Sequence, residues 1–322
     1  LSPALHRAGP LSDIRGSVEA GHDGRIYIMV EGGFYRLGDD EIHAWPVEAP
    51  DDVSMEVAPN GTVWVLLGGF VEGEFATLHS FDGETWTSHE GNAGDLDVSL
   101  SGTVWVTLVD PDRQEWVIRY SGDEGASWQK LEAPLSSEEF AGWDHPRLAV
   151  ADDSHIVVGT SGSGSWRYID GTWQRIAHGQ QPETNLDGTF WTVAWDEEGL
   201  YRHDESGTQH WTLPELGLSG VWYWGVEYLV APDGSLWASR WENVHTCSGV
   251  VRFDGLNTQC HLLPGRPAVD GIDIASDGSV WVAAEDGLYV ITPEAVSVAQ
   301  EQRARASKGW GDRQPPRHGD RS

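Results

Sequence analysis

Cations are scarce in this 322-residue chain: 20 Lys and Arg stand against 51 Asp and Glu, a formal net charge of -31. A surface so anionic repels a phosphate backbone, which excludes a general nucleic-acid binder. Lysine is nearly missing, occurring only at Lys130 and Lys308. Cysteine and methionine occur twice each. No apolar run is long enough to span a membrane, although a hydrophobic content of 39% supports a packed core. Signature motifs are missing too. Without a Gly-x-Ser-x-Gly elbow, a Walker loop or a dinucleotide fingerprint, serine hydrolase, NTPase and Rossmann readings are poor. Without His-x-x-His, His-Glu-x-x-His or a cysteine cluster, the signal for a metal site is weak.

The few cations are unevenly placed. Residues 293–322 hold Arg303, Arg305, Lys308, Arg313, Arg317 and Arg321 against four acids, a local net of +2, whereas residues 1–292 carry -33. With Pro315, Pro316 and several glycines, this basic tail reads as disordered or as a linker. The acidic body suits saline or extracellular solvent and equally a genome that favours arginine. Its charge is read as solubilising.

What the chain has in excess is glycine, 39 residues, and tryptophan, 18. Both recur in a pattern of a turn, then Gly-x-apolar-Trp. Copies begin at Asp23, Asn60, Ser101, Asp187, Asp233 and Asp277, with Tyr27 replacing Trp in the first. A degraded copy, Asp153-Ser154-His155-Ile156-Val157, fills the one gap. The spacing averages about 42 residues from Gly24 to Gly278, which makes seven units.

A second pattern follows each first: Gly-apolar-Tyr-Arg-apolar, then Asp-Gly, then Trp. Gly33-Phe34-Tyr35-Arg36-Leu37 with Trp45 and Arg167-Tyr168-Ile169-Asp170-Gly171 with Trp173 are examples. Asp-Gly between short β-rich runs signals a hairpin, because a type I′ turn needs positive φ at both central residues. Each unit is therefore four short antiparallel strands, and seven such units predict an all-β, seven-bladed β-propeller over residues 1–292. Eleven tryptophans fall on or beside the repeat positions and are expected to pack between blades. The seventh unit ends at Tyr289-Val290-Ile291-Thr292 without a fourth strand, and Pro3-Ala4-Leu5-His6-Arg7 is expected to close it. Val296-Ser297-Val298 is the competing donor.

The run from Asp277 to Val290 resembles the repeat of two-component-regulator-type propellers, which implies an extracytoplasmic sensor or binding module. It is more distantly similar to streptogramin-lyase-type propellers, which share the Asp-Gly-x-apolar-Trp half. The resemblance covers about residues 10–292 and speaks to fold more than function. Ser121-Gly122-Asp123-Glu124-Gly125-Ala126-Ser127-Trp128 resembles the Asp-box of sialidase-like propellers, a turn device in which the Asp holds its own loop and the Trp packs beneath. No arginine cluster for a substrate carboxylate can be assigned, so that resemblance is read as structural.

In a propeller the Asp-Gly turns share one face, and the longer loops share the other. The longer loops carry aromatics outside the repeat register: Trp143, Trp195, Trp222, Trp224 and Trp241, beside His145 and Arg240. Exposed rings beside acids and a cation suit a carbohydrate, a peptide or another small amphipathic molecule. The structural alternative is that these rings plug the funnel. His178, His245, Glu227 and Glu242 are candidates for acid–base or metal chemistry. A streptogramin-lyase-like site would need a divalent metal held by late-blade His and Glu, and no motif here aligns with one. Otherwise no cofactor is expected. The Asp-Gly carboxylates do not recur at EF-hand spacing, and turn chemistry accounts for them.

Cys247 and Cys260 flank one hairpin of the sixth unit, where a cross-strand disulfide is geometrically plausible if the register brings them face to face. Such a bridge fits an oxidising compartment. The chain opens at Leu1 rather than Met, as expected of a mature or excised piece whose export signal or anchor has been removed. The first expectation is therefore an extracytoplasmic propeller that binds a small-molecule, glycan, peptide or protein partner. A lyase or hydrolase and a protein-interaction scaffold are the alternatives.

Overall fold

The computed structural model describes residues 5–7, 16–21, 24–30, 33–37, 42–45, 53–68, 76–110, 115–133, 146–160, 164–176, 180–185, 188–194, 199–204, 206–212, 214–216, 226–240, 249–265 and 267–292. Every regular element among them is a strand. The short β1 (Leu5–Arg7) is followed by a sheet of β2 (Gly16–Ala20), β3 (Ile26–Val30), β4 (Gly33–Leu37) and β5 (Ile42–Trp45). The next sheet has seven strands. It runs through β6 (Val53–Val57), β7 (Val63–Leu67), β8 (Ala76–Phe81), β9 (Trp86–Val98), β10 (Val104–Asp110), β11 (Glu115–Ser121) and β12 (Gln129–Leu131). The first part of β9 pairs with β8 and the second part with β10, so this sheet is two four-stranded units that share one strand.

Three further sheets of four follow in chain order. They are β13 (Arg147–Asp152), β14 (His155–Thr160), β15 (Gly164–Ile169) and β16 (Thr172–Ile176), and then β17 (Gln180–Thr184), β18 (Phe190–Ala194), β19 (Gly199–Asp204) and β20 (Gly207–Thr212). After them come β21 (Val226–Val230), β22 (Leu236–Arg240), β23 (Gly249–Phe253) and β24 (Thr258–Leu262). The last sheet joins β25 (Val269–Ile274), β26 (Val280–Ala284) and β27 (Gly287–Ile291) to β1. Leu5 lies opposite Ile291 and Arg7 opposite Tyr289, antiparallel, so the N-terminal strand closes the last sheet as expected.

Turn chemistry explains why the units repeat. Ala58 N–H donates to Thr62 O at 2.9 Å and Gly61 N–H to Ala58 O at 2.8 Å. The same pair of bonds recurs around Gly24, Gly102, Gly188, Gly234 and Gly278. Where the residue before the glycine is described, its side chain adds a local acceptor: Ser235 N–H donates to Asp233 Oδ1 at 2.9 Å and Ser279 N–H to Asp277 Oδ1 at 2.8 Å. These bonds are available only because the glycine takes φ near +80°, as at Gly234 (79°) and Gly278 (80°). At the outer hairpin of the third unit, Asp123 accepts from Ser127 N–H at 2.8 Å and from Ser127 Oγ at 2.6 Å. Trp128 then packs edge-on against Trp64 of the unit before it, ring centres 6.2 Å apart.

The core is divided among the seams between neighbouring sheets. One apolar cluster joins the first and second units through Phe34, Met55 and Phe81. The next joins the second and third through Trp64, Leu78 and Leu96, and another the third and fourth through Trp105, Ile118 and Ile156. Trp191, Tyr228 and Phe253 join the fifth and sixth, while Trp237, Ile272 and Tyr289 join the sixth and seventh. Ile28, Ala283 and Leu288 join the seventh back to the first. A seam between last and first units makes the arrangement a ring. The repeat tryptophans Trp64, Trp105, Trp191 and Trp237 are buried in these seams, where one flat ring fills the gap between two sheets.

Candidate functional site

The first strand of each unit borders the ring's axis, and a cavity of about 480 Å³ lies there. Its walls come from β2, β6, β9, β13, β17, β21 and β25. The register of these strands sets which side chains share a level. Opposite the repeat aromatic of each unit stand Glu19 (facing Tyr27), Glu56 (Trp64), Asp97 (Trp105), Glu183 (Trp191) and Asp273 (Trp281). The remaining two units place Ala149 and Leu229 there. Five of seven equivalent positions are thus acids, and all five line the cavity.

Two residues earlier along their strands, Ser17, Ser54, Asp95 and Arg147 line the same cavity. Arg147 is its only basic lining residue among the described residues. Its Nη1 lies 3.5 Å from Asp95 Oδ1. Gln181, also in the lining, takes φ of 46° where β17 loses register between Gln180 and Glu183. A non-glycine residue in that region is strained and persists because its surroundings hold it.

Some of these acids have a structural task. The axis-facing edge of an innermost strand leaves backbone N–H groups without a strand partner. Leu148 N–H donates to Asp95 Oδ2 and Val150 N–H to Asp97 Oδ2, each at 2.6 Å, which ties the fourth unit to the third. Ala20 N–H donates to Asp273 Oδ2 at 2.5 Å and ties the first unit to the seventh. The Tyr228 hydroxyl makes a similar tie by donating to the Gln181 carbonyl. Glu56 differs. It accepts no hydrogen bond among the described residues and is half-buried where it lines the cavity.

Crowding carboxylates into a low-dielectric space disfavours their charged form. Burial, reinforced by the charges of Asp97, Asp273, Glu183 and Asp95, holds the Glu56 carboxyl well above the usual range. Burial pushes Asp97 up to about 7, with the N–H groups of Val150 and Val98 opposing it. Asp273 is pushed up to about 6 by burial against the Ala20 N–H. Burial raises Asp95 as well, and Arg147 works against the rise. No three described His, Cys, Asp or Glu side chains converge closely enough to hold one metal ion.

Trp143, His145, His178, Trp195, Trp222, Trp224, Trp241, Glu242 and His245 fall outside the described residues. Arg240 and Glu227 are placed by backbone only, opposite each other's strands at Val226–Arg240 and Glu227–Ser239. Cys260 sits on β24 opposite Val251, whereas Cys247 falls outside the described residues. The channel acids went unread although each stands eight positions before its repeat aromatic, as Glu56 does before Trp64 and Asp273 before Trp281. An acid recurring at that fixed offset was the available signal.

No family model matches the sequence, and no curated protein is similar to it. Solved structures are similar in fold. A catalytically inactive virginiamycin B lyase from Staphylococcus aureus with quinupristin aligns with 89% of this chain and 98% of its own, at 14% identity and a TM-score of 0.62. The extracellular domain of a putative hybrid two-component system from B. thetaiotaomicron aligns with 90% of this chain at 12% identity and a TM-score of 0.57, and this chain spans 42% of it. YCF48 bound to D1 peptide aligns with 90% of this chain and 96% of its own, at 11% identity and a TM-score of 0.58. At such identities the likeness is one of fold: this chain is a β-propeller of four-stranded antiparallel blades.

Proposed function

We propose that this propeller is an extracytoplasmic recognition module that holds a small-molecule, carbohydrate or peptide ligand where its axial channel opens among the longer loops. The observation that carries this reading is the channel: a cavity of about 480 Å³ lined by polar side chains at positions where apolar ones would close the ring at lower cost. Trp143, His145, Trp195, Trp222, Trp224 and Trp241, with Arg240 at the end of β22, supply aromatic and basic contacts around its mouth in this reading. Fold likeness to the extracellular domain of a putative hybrid two-component system and to a peptide-bound protein supports it. No described helix is long and apolar enough to cross a membrane.

A second reading is favoured by the likeness to a lyase along nearly the whole chain. In that reading Glu227, Glu242, His178 and His245 would hold a divalent metal for elimination or hydrolysis. A proposed bridge between Cys247 and Cys260 belongs with the extracytoplasmic assignment, and thiol titration of the unfolded, unreduced chain should then find no free thiol.

A thermal-shift screen with glycans, peptides, small amphipathic molecules and divalent metals separates the readings, since a ligand selective for the folded state raises its melting temperature. Recognition predicts a rise with a metal-free ligand that is reduced by Trp222→Ala or Trp241→Ala. A ligand effect that needs a divalent metal and His245 would instead support the lyase. A response to neither class would overturn both and leave a protein scaffold.

A further inference from the structure

The turn between β6 and β7 carries an amide that can rearrange. We infer that Asn60 is a site of spontaneous covalent modification: its side-chain amide is lost as ammonia through a cyclic imide formed with Gly61, which leaves an acid where the second and third units meet. Asn60-Gly61 is the one Asn-Gly pair in the chain. Glycine leaves the amide nitrogen open to a five-membered ring closure, because no Cβ shields it. The Asn60 side chain is held at both ends. Thr62 N–H donates to its Oδ1 at 3.0 Å, which steadies the charge that this oxygen gains as the carbonyl is attacked. Its Nδ2 donates to Glu124 Oε1 at 2.8 Å. Asn60 is exposed, so water reaches it.

In the first step the Gly61 nitrogen bonds to Asn60 Cγ, the Cγ–Nδ2 bond breaks, and ammonia departs with the proton that Gly61 gives up. Water then opens the imide. Addition at Cγ yields aspartate, and addition at the main-chain carbonyl yields isoaspartate, with the backbone routed through Cγ. Gly61 N–H also donates to Ala58 O at 2.8 Å and must leave it first, so the folded chain reacts more slowly than an unfolded one. The consequence follows from the partner of the changed group. Among the described turns of this kind, Asp233 meets the Arg252 guanidinium at 2.7 Å, whereas Asn60 meets a carboxylate. An amide satisfies Glu124 and an acid repels it, so conversion turns a contact between two units into a like-charge clash. Glu124 takes φ of 56°, a conformation that its surroundings must hold. The same loop presents Trp128 to Trp64 and His89. The modified chain therefore loosens at the outer end of this seam.

The test is incubation of the folded full chain for several weeks in mildly alkaline buffer, which favours loss of the Gly61 proton, followed by intact-mass and peptide mass analysis. The expected result is a gain of about one dalton confined to the peptide that holds residue 60, with an equal amount of ammonia released. Part of that peptide should also accept isoaspartate-specific methylation. Asn60→Ser, the residue type that Ser101 supplies in the third unit, should abolish the gain. Asn60→Asp, made directly, should speed hydrogen exchange across residues 121–128 several-fold and lower the melting temperature slightly. Adding Glu124→Gln should reverse both, because the amide and the acid have then changed places. No mass gain in the folded chain under conditions that convert the unfolded one would overturn the modification, as would an earlier gain at Asn92, Asn185, Asn243 or Asn257. An Asn60→Asp chain that exchanges like the parent would overturn the effect on the seam.

Discussion

The two turn glycines Gly125 and Gly188 share a backbone conformation, φ of +80°, yet differ in what surrounds them. A Cβ on Gly188 would meet nothing within 4 Å, whereas one on Gly125 would lie 2.5 Å from the His89 ring and 2.9 Å from Trp64. Gly188→Ala should therefore cost only the left-handed strain, about 1 kcal/mol. Gly125→Ala should cost about 2–3 kcal/mol, because it also disturbs a seam in which His89 stacks on Trp64 and bonds Ser80 Oγ at 2.9 Å. Denaturant titration of both variants measures the difference, and equal losses would show that the seam yields freely. Asp123 belongs to the same corner: its loop bonds hold both the turn and the approach of Trp128.

At the scale of the strand, β1 has the largest consequence for its length. It is three residues long, yet it covers the edge of β27, whose N–H and C=O groups would otherwise face solvent. Deleting residues 1–7 should lower the melting temperature by several degrees and promote association through the bared edge, visible in size-exclusion chromatography. Deleting residues 293–322 should change neither. The reverse result would mean that the last sheet is closed by Val296-Ser297-Val298. This closure was readable in the sequence because the seventh unit runs out of strands at Thr292, and the blades were readable because Asp-Gly turns and tryptophans keep a fixed phase. The fusion of two units through β9 was not. Its 13 residues include Gly91-Asn92-Ala93-Gly94-Asp95, a run that reads as a turn between units rather than as continuous strand, with Gly91 at φ +135°. The channel acids were also missed, for a physical reason. Along one strand, Met55-Glu56-Val57 looks like ordinary alternation, and only the gathering of the innermost strands around an axis brings five surface-like acids to one half-buried cavity wall.

For the whole molecule, two populations of carboxylate oppose each other as pH changes. Turn acids are held below their ordinary range: Asp82 by the Thr85 N–H and Glu84 N–H, Asp123 by the Ser127 hydroxyl and N–H, Asp204 by Ser206. Below about pH 4 the unfolded chain binds more protons than these folded turns do, so their contribution is lost as pH falls. Channel acids are shifted the other way. Between the unfolded value near 4 and folded values of about 6 for Asp273 and about 7 for Asp97, the folded state is the one that holds more protons. Their contribution is thus fully present below about pH 4 and is lost progressively from there as pH rises through 6 and 7. The melting temperature should peak near pH 4–5 and decline toward pH 8, where it then levels. Asp97→Asn keeps an oxygen acceptor for the Val150 N–H and removes the charge, so it should match the parent near pH 4 and exceed it at pH 8. Paired with Asp273→Asn it should flatten the alkaline side of the curve while leaving the acid side to the turns. A melting temperature that stays level or rises from pH 5 to 8 would show that the channel acids are already compensated in the free protein, as a resident cation would compensate them.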